Sequence, residues 1–263
     1  KRVMGAPSIL ASVQSGGFIR GENISRFMCD LFAMSCNGED RATQSLPRFA
    51  RYATGNPHGW GLGWYENGQA RIEREPCRAD FSERFYDSIE EARSTNMIAH
   101  VRYATHGEHT ACNCHPFKRH YRGRDWIFAH NGWVDGVPDH PLSDGDTDSE
   151  QIFNHIMDEI EQYQSRGEIR GTYPALKHAI GTVFERYGEH INLNLLISDG
   201  NMLYVYHHYP GKPIYLVRRS KGYGDAALVS TRELSGEHWT ELEPDRLLVL
   251  DRGEVFVYST PLI

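Results

Sequence analysis

The chain has 263 residues, 40% hydrophobic, 11% aromatic and 24% charged, with a formal net charge of −7 at pH 7. This is enough apolar material for a packed core, which excludes a mainly disordered chain. No apolar run reaches the ~18 residues of a membrane-spanning helix, the 25 glycines and 12 prolines follow no repeat, and the acidic balance gives no general attraction to a phosphate backbone.

A small-molecule substrate is therefore expected as the partner, rather than nucleic acid or a membrane. Five cysteines, an odd number in a chain of this length, fit a reducing compartment better than a disulfide framework and imply a cytoplasmic protein. The first 27 residues differ in character: Lys1, Arg2, Arg20 and Arg26 stand against the single acid Glu22. The apolar stretch Ser8 to Val13 is too short and too polar for a secretory signal core. Residues 1–28 are read as an N-terminal extension ending in an initiator-like Met28, and 29–263 as one domain.

From Cys29, Cys-Asp-Leu-Phe-Ala-Met-Ser-Cys predicts a short buried strand, followed by a helix over about 41–53. His58 to Tyr65 and Ala70 to Glu75 flank Glu66-Asn67-Gly68, whose Asn-Gly pair suits a hairpin turn. Gly59, Gly61 and Gly63 lack phosphate-loop spacing and are expected to permit close backbone packing. Phe81, Phe85, Ile89 and Ala92 recur on one face of a helix over 80–94, which leads into a strand over 97–103; a further strand covers 126–129. Thr147-Asp-Ser-Glu150 has the form of a capping box, and Ile152, Phe153, Ile156, Met157 and Ile160 follow at helical spacing. Another helix is expected over 173–187, and the remainder to Val257 reads as strands separated by Asp199-Gly200, Pro210-Gly211 and Arg252-Gly253. Strands, helices and strands again, without regular βαβ alternation, predict an α+β layered domain.

Cys29 has two readings. It is a buried strand residue, or, if residues 1–28 are removed, it becomes an amino-terminal nucleophile whose own α-amine, with a reference pKa of about 7.7–8.0, serves as base. Arg102 and Thr105 follow one apolar strand, Asn131-Gly132 follows another, and Asp148 lies at a helix start where the dipole favours its ionised form. Taken singly these are an ion pair, a turn and a helix-start acid. Together they form a kit for an amino acid: Arg102 for an α-carboxylate, Asp148 for an α-ammonium, and the Asn131 amide with the Gly132 N–H for a developing oxyanion.

Met-Cys, His-x-Arg-Tyr-Ala-Thr-His-Gly at 100–107, His-Asn-Gly at 130–132 and Thr-Asp-Ser-Glu at 147–150, in that order, resemble the class II glutamine amidotransferases of the amino-terminal nucleophile hydrolase superfamily. His115-Pro-Phe, Asn194-Leu-Leu-Ile-Ser-Asp-Gly200 and Ser230-Thr-Arg-Glu-Leu-Ser-Gly-Glu-His-Trp239 are similar to its stand-alone YafJ-like branch. The resemblance implies a four-layer αββα sandwich, Cys29 as nucleophile, Asn131 and Gly132 as oxyanion hole, and Arg102 and Asp148 as clamp, with Tyr103, Thr105 and His106 lining the substrate pocket. It implies a γ-glutamyl thioester intermediate and no metal or organic cofactor. No synthase domain accompanies the glutaminase-like one, so either a separate subunit accepts the ammonia or the substrate is another γ-glutamyl compound. His106, His109, Cys112, Cys114 and His115 are denser in metal ligands than the family pattern requires, but are expected to form a loop with incidental thiols; a zinc-dependent hydrolase built on them, or a catalytically silent glutamine-binding or regulatory protein, is the alternative reading. Cys36 and Cys77 are expected to be packing residues, and His207-His208 solvated strand ends.

Overall fold

The computed structural model describes residues 28–167, 171–220 and 224–263. Of the expected extension, only Met28 falls within them. Two antiparallel sheets stack face to face. The first has seven strands in the order β11-β9-β10-β1-β4-β2-β3, comprising β1 (Asp30–Asp40), β2 (Trp60–Glu66), β3 (Gln69–Glu75), β4 (Ser94–Val101), β9 (Tyr215–Arg219), β10 (Ala226–Ser230) and β11 (Thr240–Glu241). The second has six in the order β13-β12-β8-β7-β6-β5: β5 (Phe117–Tyr121), β6 (Arg124–Trp133), β7 (Asn192–Ser198), β8 (Met202–Tyr206), β12 (Leu247–Asp251) and β13 (Glu254–Tyr258). Helices α1 (Leu46–Ala50) and α2 (Glu83–Glu91) cover the first sheet; α3 (Asp148–Ser165) and α4 (Thr172–Tyr187) cover the second. The result is the αββα sandwich that the motif resemblance implied.

Strand alternation assigns each side chain to a layer. Along β1, Leu31 and Ala33 face the opposite sheet, while Phe32, Met34 and Cys36 face the α1–α2 side. Along β6, Ile127 and Ala129 face inward, and Phe128 packs outward on Phe153 of α3 at a centroid distance of 4.8 Å. The same alternation turns Asn131 toward the first sheet and His130 toward α3. Buried on both faces, the central strands read as nearly continuous apolar runs.

Several elements differ from the sequence reading. The helix expected over 41–53 is split into α1 and a 3-10 turn, Arg51–Thr54, because Ala42 takes a positive φ and delays the start until Pro47 can occupy the first turn. The helix expected over 80–94 is trimmed to α2, capped by Ser82, whose hydroxyl accepts the Phe85 N–H at 3.0 Å. β5 was not anticipated, since Lys118, Arg119 and His120 on an edge strand hide its apolar ends. The glycine reading holds: a Cβ on Gly61 would overlap the His115 carbonyl oxygen, and one on Gly59 the Cys114 sulfur.

Two minor expectations are corrected. Cys77 is exposed rather than packed, and His207 is buried with its Nδ1 3.1 Å from the Leu242 carbonyl rather than solvated. No helix among the described residues is long and apolar enough to cross a membrane.

Candidate active site

Cys29 immediately precedes β1, half-buried between the ends of the two sheets. The Tyr103 N–H donates to its sulfur at 3.2 Å, and the thiol lies 3.4 Å from the Tyr103 carbonyl. Burial pushes the thiol pKa up to about 11, against the opposing pull of the Tyr103 N–H, Lys212 and Arg102. From the second sheet, the Asn131 amide donates to the main-chain carbonyl of Cys29. Residues 102 units apart in sequence thus meet because β1 and β6 lie in opposite sheets and end at the same rim.

Gly132 has φ +151°, and a Cβ there would overlap the Asn192 carbonyl of the neighbouring strand β7. Only glycine lets β6 continue past Asn131 while paired this closely. Asp148 opens α3. Its Oδ2 accepts the Val134 N–H at 2.9 Å, tying the helix start to the chain just beyond Gly132. The anticipated capping box is half formed: the Thr147 hydroxyl accepts the Glu150 N–H at 3.3 Å, but the Glu150 carboxylate turns to the N–H groups of Asp144 and Gly145.

Arg102 is buried and holds its own loop, donating to the carbonyls of His106 at 2.8 Å and Glu108 at 2.9 Å. Among the described residues these bonds use two of the five guanidinium N–H donors. Thr105 and His106 are exposed on that loop. Tyr103 packs on His58 at 5.1 Å, and the His58 Nδ1 accepts the Ala104 N–H at 2.9 Å. The structure therefore brings Cys29, Arg102, Tyr103 and Asn131 to one rim, with Gly132 and Asp148 directly behind Asn131.

The residues that sequence reasoning missed lie beneath Cys29. Asp30 is fully buried. Its carboxylate takes Lys212 at 2.7 Å, Arg232 at 2.9 Å, the Thr231 hydroxyl at 2.8 Å and the Asn56 amide at 2.8 Å. Lys212, also buried, reaches the Met28 carbonyl at 3.3 Å, and the Asn194 amide holds the Lys212 carbonyl at 2.7 Å. Burial draws the Lys212 pKa down while Asp30 supports its charged form. The only available signals were an aspartate next to the cysteine and a lysine after the turn Pro210-Gly211, neither distinctive in sequence.

Dense in metal ligands as it is, the segment 106–115 does not gather them. His109 stacks on His58, Cys114 lies 3.5 Å from the Glu75 carbonyl, and His115 turns inward against His100, with ring centroids 4.3 Å apart in each histidine pair. Three ligand-type side chains do converge among the described residues at His140, His155 and Asp158. There the His140 Nδ1 accepts the Leu142 N–H, which places its proton on the Nε2 facing Asp158 at 3.0 Å, and Arg119 also pairs with Asp158. The His155 Nε2 lies 3.1 Å from the Pro138 carbonyl, so each of the three side chains already has a protein partner.

A family description, glutamine amidotransferases class-II, matches residues 28–228. The chain is 29% identical to YafJ of Escherichia coli over 188 residues, covering 68% of this chain and 72% of that one. It is 26% identical to a γ-glutamyl-hercynylcysteine sulfoxide hydrolase of Mycobacterium tuberculosis over 218 residues, covering 80% and 81%. A crystal structure of a predicted glutamine amidotransferase from Pseudomonas aeruginosa superposes with a TM-score of 0.60 at 22% identity, covering 87% of this chain and all of that one, a likeness of fold. With two-thirds or more of its length matched in each comparison, the chain belongs to the class II glutamine amidotransferases and shares the αββα fold of its solved neighbour.

Proposed function

We propose that the protein hydrolyses a γ-glutamyl amide, either glutamine or a γ-glutamyl small molecule, using Cys29 as nucleophile once it is the amino-terminal residue. The observation carrying this reading is the convergence of the Asn131 amide on Cys29 from the opposite sheet. The Cys29 α-amine takes the thiol proton, and the sulfur attacks the γ-carbonyl carbon. The oxyanion is received by the Asn131 amide and the Gly132 N–H. The protonated amine returns its proton to the leaving nitrogen, and water then cleaves the thioester to release glutamate.

Arg102, with its remaining donors, binds the α-carboxylate, and the free oxygen of Asp148 binds the α-ammonium, while Tyr103, Thr105 and His106 border the substrate. This machinery reads only the amino-acid end that all γ-glutamyl compounds share. With glutamine the ammonia passes to a separate synthase subunit or is released; with a larger γ-glutamyl compound no acceptor is needed, as in the hydrolysis for which the mycobacterial relative is named.

Replacing Cys29 with Ala is expected to lower turnover by roughly 10⁶-fold, to background, with the melting temperature unchanged. Ammonia and glutamate release from glutamine and from a panel of γ-glutamyl dipeptides measures this. Retained turnover in the variant contradicts the assignment, and glutamine binding without release by the wild-type chain would make it a binding protein instead.

A further inference from the structure

We propose that Lys212 is a positioning residue that keeps the α-amine of Cys29 unprotonated, and so able to act as base, at neutral pH. The inference rests on the reading of Cys29 as an amino-terminal nucleophile. Lys212 Nζ is 3.3 Å from the Met28 carbonyl oxygen, an atom bonded to the same carbon as the Cys29 nitrogen. Without Met28, the ammonium is left beside the freed amine.

Charged and titratable groups from several elements lie near this point, with Asp148 and the buried His130 behind Asn131. Asp30 is on β1, Arg102 and His100 are at the end of β4, Arg232 follows β10, and Tyr209 approaches from the loop before Lys212. Among the described residues, Asp30 is the anion paired with Lys212, at 2.7 Å. Its single charge is offset by Lys212, and Arg102 adds a second cation beside Cys29. His100 is buried and neutral, its pKa lowered to about 3 by burial and the neighbouring cations. The cluster is therefore net positive beside the amine, and a like charge at this range disfavours the protonated form by about one pH unit or more.

The same repulsion serves both halves of the proton cycle. A proton moved from the Cys29 sulfur to the nitrogen creates a second ammonium next to Lys212, which readily passes that proton to the departing amine. An ordinary α-amine, with reference pKa about 7.7–8.0, would be largely protonated at pH 7 and would lack the lone pair.

The test compares wild type with Lys212→Met, Lys212→Gln and Lys212→Arg, using pH profiles of kcat/KM on the best γ-glutamyl substrate. Both uncharged variants are expected to move the acid limb up by about one unit or more, a roughly tenfold loss on that limb with little loss at pH 9 and an unchanged KM; Lys212→Arg restores the wild-type limb. If the uncharged variants do not fold, an NMR titration of wild-type protein carrying ¹⁵N-cysteine decides. An amine pKa clearly below 7.7 supports the proposal; an ordinary or raised one overturns it. An unmoved acid limb in folded variants also overturns it. Failure of the underlying reading is distinguished by intact mass: active protein in which Cys29 is not amino-terminal sinks that reading whatever Lys212 does.

Discussion

Two polar clusters lie buried at the inter-sheet region near Cys29, and the fold handles them in opposite ways. Around Asp30 the charges are paired, with four side chains from three separate segments on one carboxylate. At His100 and His115, none of the four ring nitrogens has a hydrogen-bond partner, and burial holds both imidazoles neutral, lowering the His100 pKa to about 3 and that of His115 well below its ordinary value. A charge is retained in the interior only where partners compensate it; where they are missing, the group gives up its proton. The charged cluster adjoins Cys29 through Asp30 and through the Lys212 bond to the Met28 carbonyl, whereas the histidine pair fills space with its two rings packed together.

The most severe way to break the first cluster is Asp30→Ala, which leaves Lys212 and Arg232 uncompensated in the interior. It is expected to destabilise the fold by about 3–5 kcal/mol in urea unfolding at pH 7; a loss below about 1 kcal/mol would mean that the cluster is not held by its charges. The second cluster gives a smaller, pH-dependent effect. The unfolded chain binds protons at these histidines below about pH 6.5 and the folded chain does not. Stability is therefore complete above pH 6.5 and falls as the pH drops toward the folded pKa, by about 1.4 kcal/mol per unit for each histidine. Replacing both with Leu should flatten that decline between pH 6.5 and 5 with little change at pH 7, since removing unpaired polar groups costs little. A slope unchanged by the double substitution would assign the acid sensitivity elsewhere.

What was legible in the sequence follows from how far apart the contributing residues lie. Thr147 with Asp148, Asn131 with Gly132 at a strand end, and Asn67-Gly68 are local signals, and each element they mark is present. The hairpin pairs in register from Trp60↔Glu75 to Glu66↔Gln69. The sequence reading ended the β6 strand at Ala129, yet pairing with β7 carries it to Trp133, because strand length is set by the partner strand rather than by the apolar run. The Asp30 cluster was not legible. It joins residues 26 to 202 positions apart, and nothing in the immediate surroundings of Lys212 or Asn56 distinguishes them from surface polar residues. The contact between His100 and His115 was hidden for the same reason, although both residues belong to motifs that had been noted. Arg102 differs in detail from a simple ligand clamp, since two of its donors brace the loop that carries Thr105 and His106.

The central claim is that Cys29 attacks a γ-glutamyl carbonyl as the amino-terminal residue. It is tested most directly by acid-quenching the enzyme during turnover and measuring intact and peptide masses. The account predicts one γ-glutamyl group on a peptide that begins at Cys29. Steady turnover with no adduct at Cys29 in substrate excess under any quench time, or an adduct on protein in which Cys29 is still preceded by Met28, would contradict it.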